Sequence, residues 1–551
     1  METVLDKNKT LELYNLVLNN RQISDIELLL NGAFKPLNQY LNKKDYDSVL
    51  SNMRLSNGKL WPIPIVLDVD KNLLNSQIFI GANIALRDHE GFLIATIEIE
   101  EIWEADKKKE AQCIFGTNDK HHPGVKNLFE NTGSHYVSGK LKKVDLPKHY
   151  DYTSIRHTPK SLKNEFEKLG WKKIVAFQTR NPMHRAHKEI AMLAAEENNA
   201  NLLIHPVVGP TKPGDVDHYT RVRCYEKILN YFPKNKAYLS LLPLAMRMAG
   251  PREALWHAII RKNYGCTHII IGRDHAGPGN DINGNPYYGP YDAQDLLLEH
   301  QDEIGIKMVP FKMLVYVKES KKYVQIDKVP KNQTALSISG TQLRSKLENN
   351  EEIPSWFTYP EIVEELHRVY PPKNKQGFTI FFSGLSGSGK STIANGLLVK
   401  LLEHGKRRVT LLDGDIVRTH LSSELGFSKE HREINVKRIG YVASEITKNG
   451  GIAICAPIAP FEESRKINRA LISQYGSYIE VFVSTPIEEC EKRDVKGLYA
   501  KARAGVLKGF TGIDDPYEEP IDAELNIDTT SISPEKSVEI VYEYLNQKGF
   551  I

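Results

Sequence analysis

The stretch of sequence that most restricts the fold is a glycine-rich loop between a strand and a helix. Residues 378–383, all apolar or hydroxyl-bearing, predict a buried strand, and Gly-Leu-Ser-Gly-Ser-Gly-Lys-Ser follows at 384–391. The glycines of this G-x-x-x-x-G-K-S pattern let backbone amides close around a phosphate. A strand before the loop and a helix from Thr392 are typical of the carboxyl edge of a parallel sheet. This part of the chain is therefore predicted to bind ATP or GTP.

The positions of this loop have separate expected roles. The Lys390 ammonium would reach the β- and γ-phosphates, and the Ser391 hydroxyl would bind Mg²⁺. The other expected nucleotide-binding positions are Gly384, Gly387, Ser388, Gly389 and Thr392. The loop leaves open which molecule accepts the phosphoryl group.

A second strand-to-helix turn, in the first half of the chain, also carries polar residues. The apolar segment Ile174–Phe177 leads into Gln178–His187, and apolar residues then recur at helical spacing. Asparagine is a preferred helix cap and proline suits the first helical position, so we expect a helix to begin at Asn181. His184 and His187 then share one face of its first turns. A His-x-x-His pair alone is more often a surface or core pair, but its place at a helix start behind a strand favours a phosphate site.

A glycine-rich turn follows a further apolar strand. After the strand at 268–271, Gly272–Gly279 presents backbone amides beside Arg273. The carboxyl ends of parallel strands meet at one edge of a sheet, so we expect both turns to lie together. Two anion-binding turns at one edge indicate a polyphosphate substrate together with another anion.

The length and the changes of pattern along the chain indicate several domains. A chain of 551 residues is too long for one hydrophobic core. Short alternating segments with Gly and Asn turns predict a mostly β domain over residues 1–151. Apolar strands that alternate with amphipathic helices predict an α/β domain over 152–310 and a small α/β domain over 311–372. Pro371–Gly377 has the composition of a linker, and a further α/β domain covers 376–551.

Composition and charge restrict the partners of the chain. It has 41% hydrophobic and 26% charged residues, typical of a folded globular protein, and a net charge of +4. Such a balance provides no long-range attraction for nucleic acid or an anionic membrane, so small anions are the expected partners. The first seven residues show no leader pattern, and no apolar run approaches the ~18 residues that span a bilayer. We therefore expect a cytoplasmic protein.

The spacing of cysteine and histidine does not indicate a metal cluster. The five cysteines are scattered, odd in number and without a Cys-x-x-Cys pair, so we expect buried thiols and neither disulfides nor zinc. His121 and His122 are adjacent but lack carboxylate or cysteine partners in the pattern. A loop is therefore the preferred interpretation of this pair, over a metal site.

The two turns of the first half carry a resemblance to a known family. Gln178–His187 and Gly272–Gly279 resemble the signature loops of ATP sulfurylase, and the similarity covers nearly all of residues 1–372. Further matching stretches are His205–Asp215, Leu242–Arg247 and Ser339–Arg344. The resemblance implies a PUA-like N-terminal domain, a Rossmann-like nucleotidyltransferase domain and a small α/β domain. It also implies a reaction in which a sulfate oxygen attacks the α-phosphorus of ATP, releasing pyrophosphate and forming adenylyl sulfate.

The same resemblance implies roles for individual residues. Gln178, Arg180 and the backbone at Ala276 would hold sulfate, and Thr179 would also contact substrate. Four residues would stabilise charge on the phosphates of ATP: Asn181, His184, His187 and Arg273. Mg²⁺ on the β- and γ-phosphates would assist the leaving pyrophosphate. Some relatives carry a cysteine-rich zinc site near here, but this sequence has no matching cluster, and we expect no zinc.

The C-terminal part resembles adenylylsulfate kinase over about residues 376–551, which implies a P-loop kinase fold. The matching stretches are Leu412–Arg418, Lys496–Tyr499, Ala502–Gly505 and Lys508–Asp514. By this match Asp415 lies near the 3′-hydroxyl of adenylyl sulfate as candidate base or Mg²⁺ organiser. The residues expected to hold adenylyl sulfate are Arg418, Arg432 and Asn435, those expected to stack on its adenine are Phe427 and Phe510, and those expected in a lid are Lys501 and Arg503.

The expected function is sulfate activation in two steps, ending in 3′-phosphoadenylyl sulfate. Many relatives read Ser-Pro-Tyr-Arg where this chain has Ala459-Pro460-Phe461-Glu462, so we expect direct transfer from ATP without a phosphoserine. The alternative is a sulfurylase whose kinase-like domain is non-catalytic and senses nucleotide, and the intact Lys390 and Ser391 argue against it. An RNA-binding N-terminal domain is disfavoured because a basic, aromatic-rich stretch is missing. We also expect a homo-oligomer.

Overall fold

The structure is a computed structural model that describes residues 13–212 and 214–551. The first seven residues, on which the expectation about a leader rests, lie outside the described residues. The chain divides into two compact units, one formed by residues up to 343 together with 353–369, the other by 344–352 together with 370–551.

The N-terminal part of the first unit is built on a mixed five-stranded sheet. Its strands are β1 (Tyr14–Val17), β2 (Leu67–Val69), β3 (Asn83–Arg87), β4 (Leu93–Glu104) and β5 (His135–Lys143). Their order is β1-β3-β4-β5-β2, with β1 and β3 parallel and the other pairs antiparallel. Four helices accompany the sheet: α1 (Asn20–Leu30), α2 (Lys43–Asn52), α3 (Lys107–Phe115) and α4 (Pro123–Glu130). This part has more helix than its alternating pattern indicated, because side-chain caps such as Asn19 and His122 start helices between the strands.

The middle of the first unit contains a fully parallel five-stranded sheet. Its strands are β6 (Ile174–Phe177), β7 (Asn201–Ile204), β8 (Ala237–Leu239), β9 (His268–Ile271) and β10 (Lys307–Pro310). The order is β10-β9-β6-β7-β8, so β6 and β9 are neighbours. The turns that follow these two strands therefore lie side by side, as the sequence predicts. The helices of this part are α5 (Pro159–Lys168), α6 (Arg185–Glu197), α7 (His218–Leu229), α8 (Gly250–Asn263) and α9 (Asp292–Ile304).

A small antiparallel sheet follows in the first unit. Its strands are β11 (Leu314–Val317), β12 (Lys322–Gln325) and β13 (Ala335–Leu336), in the order β12-β11-β13. The helices after it are α10 (Gly340–Glu348) and α11 (Pro360–Val369).

The second unit is a parallel sheet covered by helices. Its strands are β14 (Phe378–Ser383), β15 (Val409–Asp413), β16 (Ile452–Ala456), β17 (Ser477–Val483) and β18 (Leu525–Ile527), in the order β15-β16-β14-β17-β18. The helices are α12 (Lys390–His404), α13 (Gly414–His420), α14 (Lys429–Lys448), α15 (Glu462–Ile472), α16 (Ile487–Arg493), α17 (Leu498–Arg503) and α18 (Pro534–Gln547). The central strand β14 is buried at every position, which is why the sequence shows an unbroken run there. The helix after the loop begins at Lys390, two residues before the predicted start.

A continuous hydrophobic core in the first unit spans its mixed sheet and its large parallel sheet. Phe34 of the N-terminal part packs between two tryptophans, with its ring centroid 5.6 Å from that of Trp61 and 5.3 Å from that of Trp256 on α8. Since aromatic side chains bury large apolar areas, this contact ties the two sheets into one folding unit.

Two further observations concern the whole described chain. Among the described residues, no helix is both long enough and apolar enough to cross a membrane. The five cysteines are free thiols, of which four are buried and Cys113 is half-buried.

Candidate active sites

A cavity of about 280 Å³ lies at the carboxyl ends of β6 and β9. Both predicted anion-binding turns line it, together with apolar residues of β6, β9, α6 and neighbouring loops. The polar lining residues include Gln178, Thr179, Arg180, Asn181, His187, Arg273 and His275. The apolar lining residues include Phe177, Ile190, Met246, Ile270, Phe311 and Met313. A cavity lined by both polar and apolar side chains suits a phosphorylated nucleoside.

The helix behind the first turn starts later than predicted. α6 begins at Arg185 with His184 as its N-cap, so the expectation of a helix from Asn181 is wrong. The carbonyl of Asn181 accepts hydrogen bonds from the Thr179 hydroxyl at 2.9 Å and the Tyr225 hydroxyl at 2.8 Å. These side chains hold Asn181 in a loop because they occupy the acceptor that a helical N–H would need.

The two histidines of the turn lie together, with ring centroids 5.8 Å apart. The Nδ1 of His187 accepts a hydrogen bond from the backbone N–H of His184 at 3.1 Å, which places the proton of the neutral His187 ring on Nε2. Nδ1 of His184 lies 3.0 Å from the Thr358 hydroxyl, and its ring packs on Phe357 at 4.5 Å. His187 lines the cavity, and His184 contacts the His187 ring through its backbone N–H.

Burial keeps both rings neutral. It lowers the pKa of His184 to about 3, with a smaller contribution from His187, and the pKa of His187 to about 4. At neutral pH neither ring therefore carries a positive charge, and His187, which lines the cavity, can donate a hydrogen bond through Nε2. The positive charge in the cavity lining is carried instead by Arg180, Arg273 and Lys312.

Arg180 is held by residues that sequence reasoning did not single out. Its Nη1 lies 2.7 Å from both carboxylate oxygens of Asp215, and its Nη2 donates to the Gly277 carbonyl at 3.3 Å. The buried Arg221 donates to the backbone carbonyl of Arg180 at 3.0 Å. Asp215 and Gly277 lie inside matching stretches of sequence and Arg221 does not, and none of the three is adjacent to Arg180 in the chain. Arg180 is thus fixed in place before any anion binds.

The second turn has a strained backbone. Asp274 and Ala276 adopt φ values of 51° and 56°, which non-glycine residues rarely do. Gly277 has no room for a side chain, since a Cβ there would lie 1.9 Å from Oδ1 of Asp274. Arg273 is exposed on the cavity wall. Strain of this kind is commonly kept at ligand-binding turns.

A buried series of ionisable residues contacts this turn and was not predicted from the sequence. Nε2 of His275 lies 3.0 Å from Nδ1 of His257, and Nε2 of His257 lies 3.3 Å from the Glu253 carboxylate. Burial lowers the pKa of both histidines, most strongly for His275. Glu253 also accepts the backbone N–H of Arg247 at 3.0 Å and that of Ala249 at 2.8 Å. No sequence pattern marks these residues, because their partners lie on different turns of α8 and on a separate loop.

The glycine-rich loop of the second unit closes on its own lysine. The Lys390 ammonium donates to the carbonyls of Gly384 at 2.9 Å and Leu385 at 2.6 Å. Burial lowers the pKa of Lys390 to about 8. Gly384, Gly387 and Gly389 have φ values of 141°, 73° and 108°, which explains the requirement for glycine.

An acidic residue outside the predicted site contacts this loop. The Ser391 hydroxyl donates to Oδ2 of Asp413 at 2.8 Å, at the end of β15. Oδ1 of Asp413 accepts the backbone N–H of Asp415 at 3.1 Å and caps α13. Oδ2 of Asp415 lies 2.5 Å from the Lys496 ammonium, before the helix α17. The structure therefore places Asp413, Asp415 and Ser391 at one edge of the sheet.

Two of the predicted acceptor-binding residues are held by nearby loops. The Arg418 guanidinium lies 4.4 Å from the ring centroid of the exposed Phe427 and donates to the Leu425 carbonyl at 3.1 Å. Arg432 pairs with Asp515 and donates to the Thr511 hydroxyl at 2.6 Å.

The remaining predicted acceptor-binding residues differ in burial. Asn435 is buried on α14, and its Oδ1 has no partner among the described residues. Phe510 packs edge-on against Tyr499 at 5.0 Å. Lys501 and Arg503 are exposed on the short helix α17.

The residue that replaces the serine of many relatives is buried in a strained conformation. Ala459 has a φ of 48° and is 1% exposed. Its carbonyl accepts a hydrogen bond from the buried Arg465 at 2.7 Å. No hydroxyl is available at this position.

The adjacent histidines of the N-terminal part have structural contacts. His122 caps α4, with its Nδ1 accepting the Gly124 N–H at 3.1 Å, and its Nε2 lies 3.1 Å from the Tyr288 hydroxyl. Nδ1 of His121 lies 2.8 Å from Asp119. Within residues 13–212 and 214–551, no three His, Cys, Asp or Glu side chains converge as metal ligands would.

Comparison with known proteins covers nearly the whole chain. A PUA-like domain model matches residues 2–146, an ATP-sulfurylase model matches 153–369, and an adenylylsulphate kinase model matches 376–528. A sulfate adenylyltransferase of Phaeosphaeria nodorum is 51% identical over 538 residues, which cover 97% of this chain and 94% of that protein. One of Aspergillus oryzae is 50% identical over 537 residues, with the same coverage. The solved structure of a hexameric APS kinase from Thiobacillus denitrificans is 36% identical, with a TM-score of 0.81 over 99% of this chain and 95% of that one.

A parallel-sheet domain with two polar turns at the carboxyl ends of neighbouring strands, and a P-loop domain with the full lysine and serine pattern, define a nucleotide-dependent transferase with two catalytic domains. The chain belongs to the sulfate adenylyltransferase family, with an ATP-sulfurylase domain and an adenylylsulphate kinase domain in one polypeptide. The family, the enzyme class, the domain folds and the function in sulfate activation that the sequence predicts are confirmed.

Proposed function

We propose that the cavity beside β6 and β9 joins ATP to sulfate, and that the P-loop domain phosphorylates the product. The observation that carries the first part is the convergence of Arg180, Arg273 and His187 on one cavity. A preformed set of donors around the position of developing charge is the main way in which proteins accelerate reactions between anions.

In the first reaction an oxygen of sulfate attacks the α-phosphorus of ATP. A new P–O bond joins AMP to sulfate, the bond from the α-phosphorus to the bridging oxygen breaks, and pyrophosphate leaves. Gln178, Thr179 and Arg180, with the backbone at Ala276, would hold sulfate, since a fixed arginine binds a tetrahedral oxyanion through two oxygens. The residues that would stabilise the phosphates are Asn181, His187 and Arg273, with His184 keeping the His187 ring in place.

In the second reaction the 3′-hydroxyl oxygen of adenylyl sulfate attacks the γ-phosphorus of a second ATP. The bond to the β–γ bridging oxygen breaks, ADP leaves, and the hydroxyl proton passes to Asp415 as candidate base. The Lys390 ammonium would exchange its two loop carbonyls for phosphate oxygens. Because Ala459 has no hydroxyl, the phosphoryl group would pass directly from ATP to the acceptor.

Adenylyl sulfate would lie beside α13 and α14. Arg418 and Arg432 would bind its charged groups, and the buried, unpartnered Oδ1 of Asn435 would accept a hydrogen bond from it. The exposed ring of Phe427 and that of Phe510 would stack on adenine. Lys501 and Arg503, on α17, would close over the bound substrates as a lid.

The P-loop residues fit Mg²⁺. The Ser391 hydroxyl and the Asp413 carboxylate, which lie 2.8 Å apart, form the hard oxygen donor set that this ion prefers. When bound with ATP, Mg²⁺ would neutralise charge on the β- and γ-phosphates. In the sulfurylase cavity the ion would arrive with ATP.

The proposal also covers assembly, location and domain limits. We place the chain in the cytoplasm as a homo-oligomer, supported by its five free thiols and by the likeness to a hexameric protein. We retain the domain limits 1–151, 152–310, 311–372 and 376–551 as part of this proposal.

The experiment that tests the proposal follows both products. Purified protein is incubated with ATP, Mg²⁺ and sulfate, and the two adenylyl products and pyrophosphate are separated by chromatography. Wild type is expected to form 3′-phosphoadenylyl sulfate, Arg180→Ala to form neither product, and Lys390→Ala to accumulate adenylyl sulfate. If wild type makes no 3′-phosphorylated product even from supplied adenylyl sulfate, the C-terminal domain is a nucleotide-sensing module instead.

A further inference from the structure

The segment from Leu242 to Gly250, which leads from β8 to the first residue of α8, contacts the lining of the sulfurylase cavity at two points. Met246 lines the cavity, and its backbone N–H donates to the Pro210 carbonyl at 2.9 Å. Gly250 donates its N–H to the carbonyl of Ala276, in the second anion-binding turn, at 3.3 Å. A shift of this segment would therefore move a cavity wall and the turn that faces it.

Arg247 anchors the segment to the N-terminal part of the chain. Its Nη2 lies 2.8 Å and 2.7 Å from the two carboxylate oxygens of Asp25, on α1. Its Nη1 donates to the Ala245 carbonyl at 2.7 Å, and its guanidinium lies 5.6 Å from the ring centroid of Trp256. A guanidinium bound on both sides fixes the backbone next to Met246.

Asp25 is part of a buried network of four charges. Its side chain is 1% exposed, and it also accepts a hydrogen bond from Arg21 at 2.9 Å. Arg21 in turn pairs with the buried Asp68. Removing one charge from such a network leaves an unbalanced charge in a region that excludes water, so the remaining partners must move.

The packing around Arg247 leaves its backbone little freedom. Gly124 on α4 approaches so closely that a Cβ there would lie 2.4 Å from the Arg247 carbonyl oxygen. Glu253 accepts the Arg247 backbone N–H from the other side. Met248, the next residue but one after Met246, has a φ of 61°, a conformation that persists only where the surroundings enforce it.

We infer that Asp25, far from the reacting groups in the chain, is a positioning residue for the sulfurylase reaction and acts through Arg247. The N-terminal part thus contributes to the geometry of the cavity and not only to the stability of the unit. This inference rests on the proposed function of the cavity.

The test compares Asp25→Asn with a matched control in the full chain. Arg54→Ala breaks another ion pair between the N-terminal part and the parallel-sheet part. The Arg54 guanidinium lies 2.5 Å and 2.8 Å from the two carboxylate oxygens of Glu303. Arg54 is half-buried, Glu303 is exposed, and neither residue lines the cavity. For each variant we would measure the melting temperature, the sulfurylase kcat and KM, and the kinase rate with supplied adenylyl sulfate. Asp25→Asn is expected to lower the sulfurylase kcat by about tenfold or more, because small misplacements of reacting groups are costly. The kinase rate and the kinetic constants of Arg54→Ala are expected to stay at wild-type values.

If Asp25→Asn does not fold, a second variant tests the same contact. Arg247→Lys keeps the charge but loses the two-oxygen contact, and it is expected to lower kcat in the same way. The double variant is expected to lose little more than either single variant, since the two residues act as one unit. A sulfurylase kcat within twofold of wild type in the folded variants, or additive losses, would overturn the inference. Absence of sulfurylase activity in wild type and in Arg54→Ala would instead refute the proposed function.

Discussion

Asp215 holds Arg180 through both of its carboxylate oxygens, each 2.7 Å from Nη1 of the arginine. The two residues are 35 positions apart, and the carboxylate is 7% exposed. Arg221, 41 positions away from Arg180, donates to its carbonyl. Arg180, which lines the cavity, is therefore held in place by partners that lie far from it in the sequence.

This pair leads to the first prediction. Asp215→Asn is expected to raise the sulfurylase KM for sulfate about tenfold, because an arginine without its carboxylate partner loses the orientation that a tetrahedral anion requires. Initial rates at varied sulfate and saturating ATP would measure it. Asp151→Asn is the control, since Asp151 pairs with Arg156 at 2.8 Å and does not line the cavity. An unchanged sulfate KM in Asp215→Asn would show that Arg180 does not need this partner.

The second prediction separates the two ends of the His187 ring. His187→Ala is expected to reduce pyrophosphate release by about a hundredfold or more, since it removes both the Nε2 donor and the acceptor for the His184 N–H. His187→Asn retains an acceptor near the position of Nδ1 and is expected to restore stability but not activity. Melting temperature and pyrophosphate release would be followed together. Recovery of full activity in His187→Asn would contradict the role of Nε2.

The third prediction concerns the pH dependence of the sulfurylase. The pKa values of His184 and His187 are lowered to about 3 and about 4, so both rings are already neutral at pH 5.5 and stay neutral as the pH rises. The kcat/KM for sulfate at saturating ATP is therefore expected to be free of a histidine ionisation between about pH 5.5 and 8. Sulfate itself does not titrate in this range. A clear break near the ordinary histidine pKa, absent from His187→Asn, would show that a charged ring takes part.

The fourth prediction tests Lys390 through its pKa of about 8. The ammonium is present below this pH and is lost above it, so the kinase kcat/KM for ATP is expected to fall as the pH rises beyond about 8. Lys390→Arg keeps a positive charge at all these pH values. Its kcat/KM for ATP is expected not to fall above about pH 8, even if its value is lower than that of wild type at every pH. Lys390→Ala is expected to lose about a hundredfold or more of the kinase rate. If the kcat/KM of Lys390→Arg falls above about pH 8 as that of wild type does, the fall is caused by the ionisation of another group.

The fifth prediction concerns Asp413. Asp413→Asn is expected to raise the Mg²⁺ concentration that half-saturates the kinase reaction, because it removes a carboxylate from the Ser391 site. The Mg²⁺ dependence of the sulfurylase reaction in the same protein serves as the internal control and is expected to stay unchanged. Equal Mg²⁺ dependence of the kinase in wild type and variant would exclude Asp413 from the ion site.

The sequence predicts those features that depend on neighbours in the chain. β14 begins and ends at the predicted residues, because a central strand of a parallel sheet is buried on both faces and needs an unbroken run. The turns after β6 and β9 were expected to meet, and their strands are adjacent in the sheet. In both cases the signal is local or follows from the general order of parallel strands.

The features that could not be predicted depend on distant contacts. The helix α6 starts at Arg185 and not at Asn181 because Tyr225, 44 positions further along the chain, takes the Asn181 carbonyl. The series of contacts from Glu253 through His257 to His275 could not be predicted from the sequence for the same reason. Asp25 and Arg247 are 222 positions apart, and a lone aspartate on a helix gives no sign of its partner.

The continuous core of the first unit has a consequence for how such a chain evolves. Phe34 and Trp256 share one interior, and Asp25 supplies the counter-charge of Arg247. A recombination event that exchanged only the N-terminal segment between two members of the family would have to bring matching partners for both contacts at once. The N-terminal and parallel-sheet segments are therefore expected to be inherited together, and their sequences to diverge at similar rates.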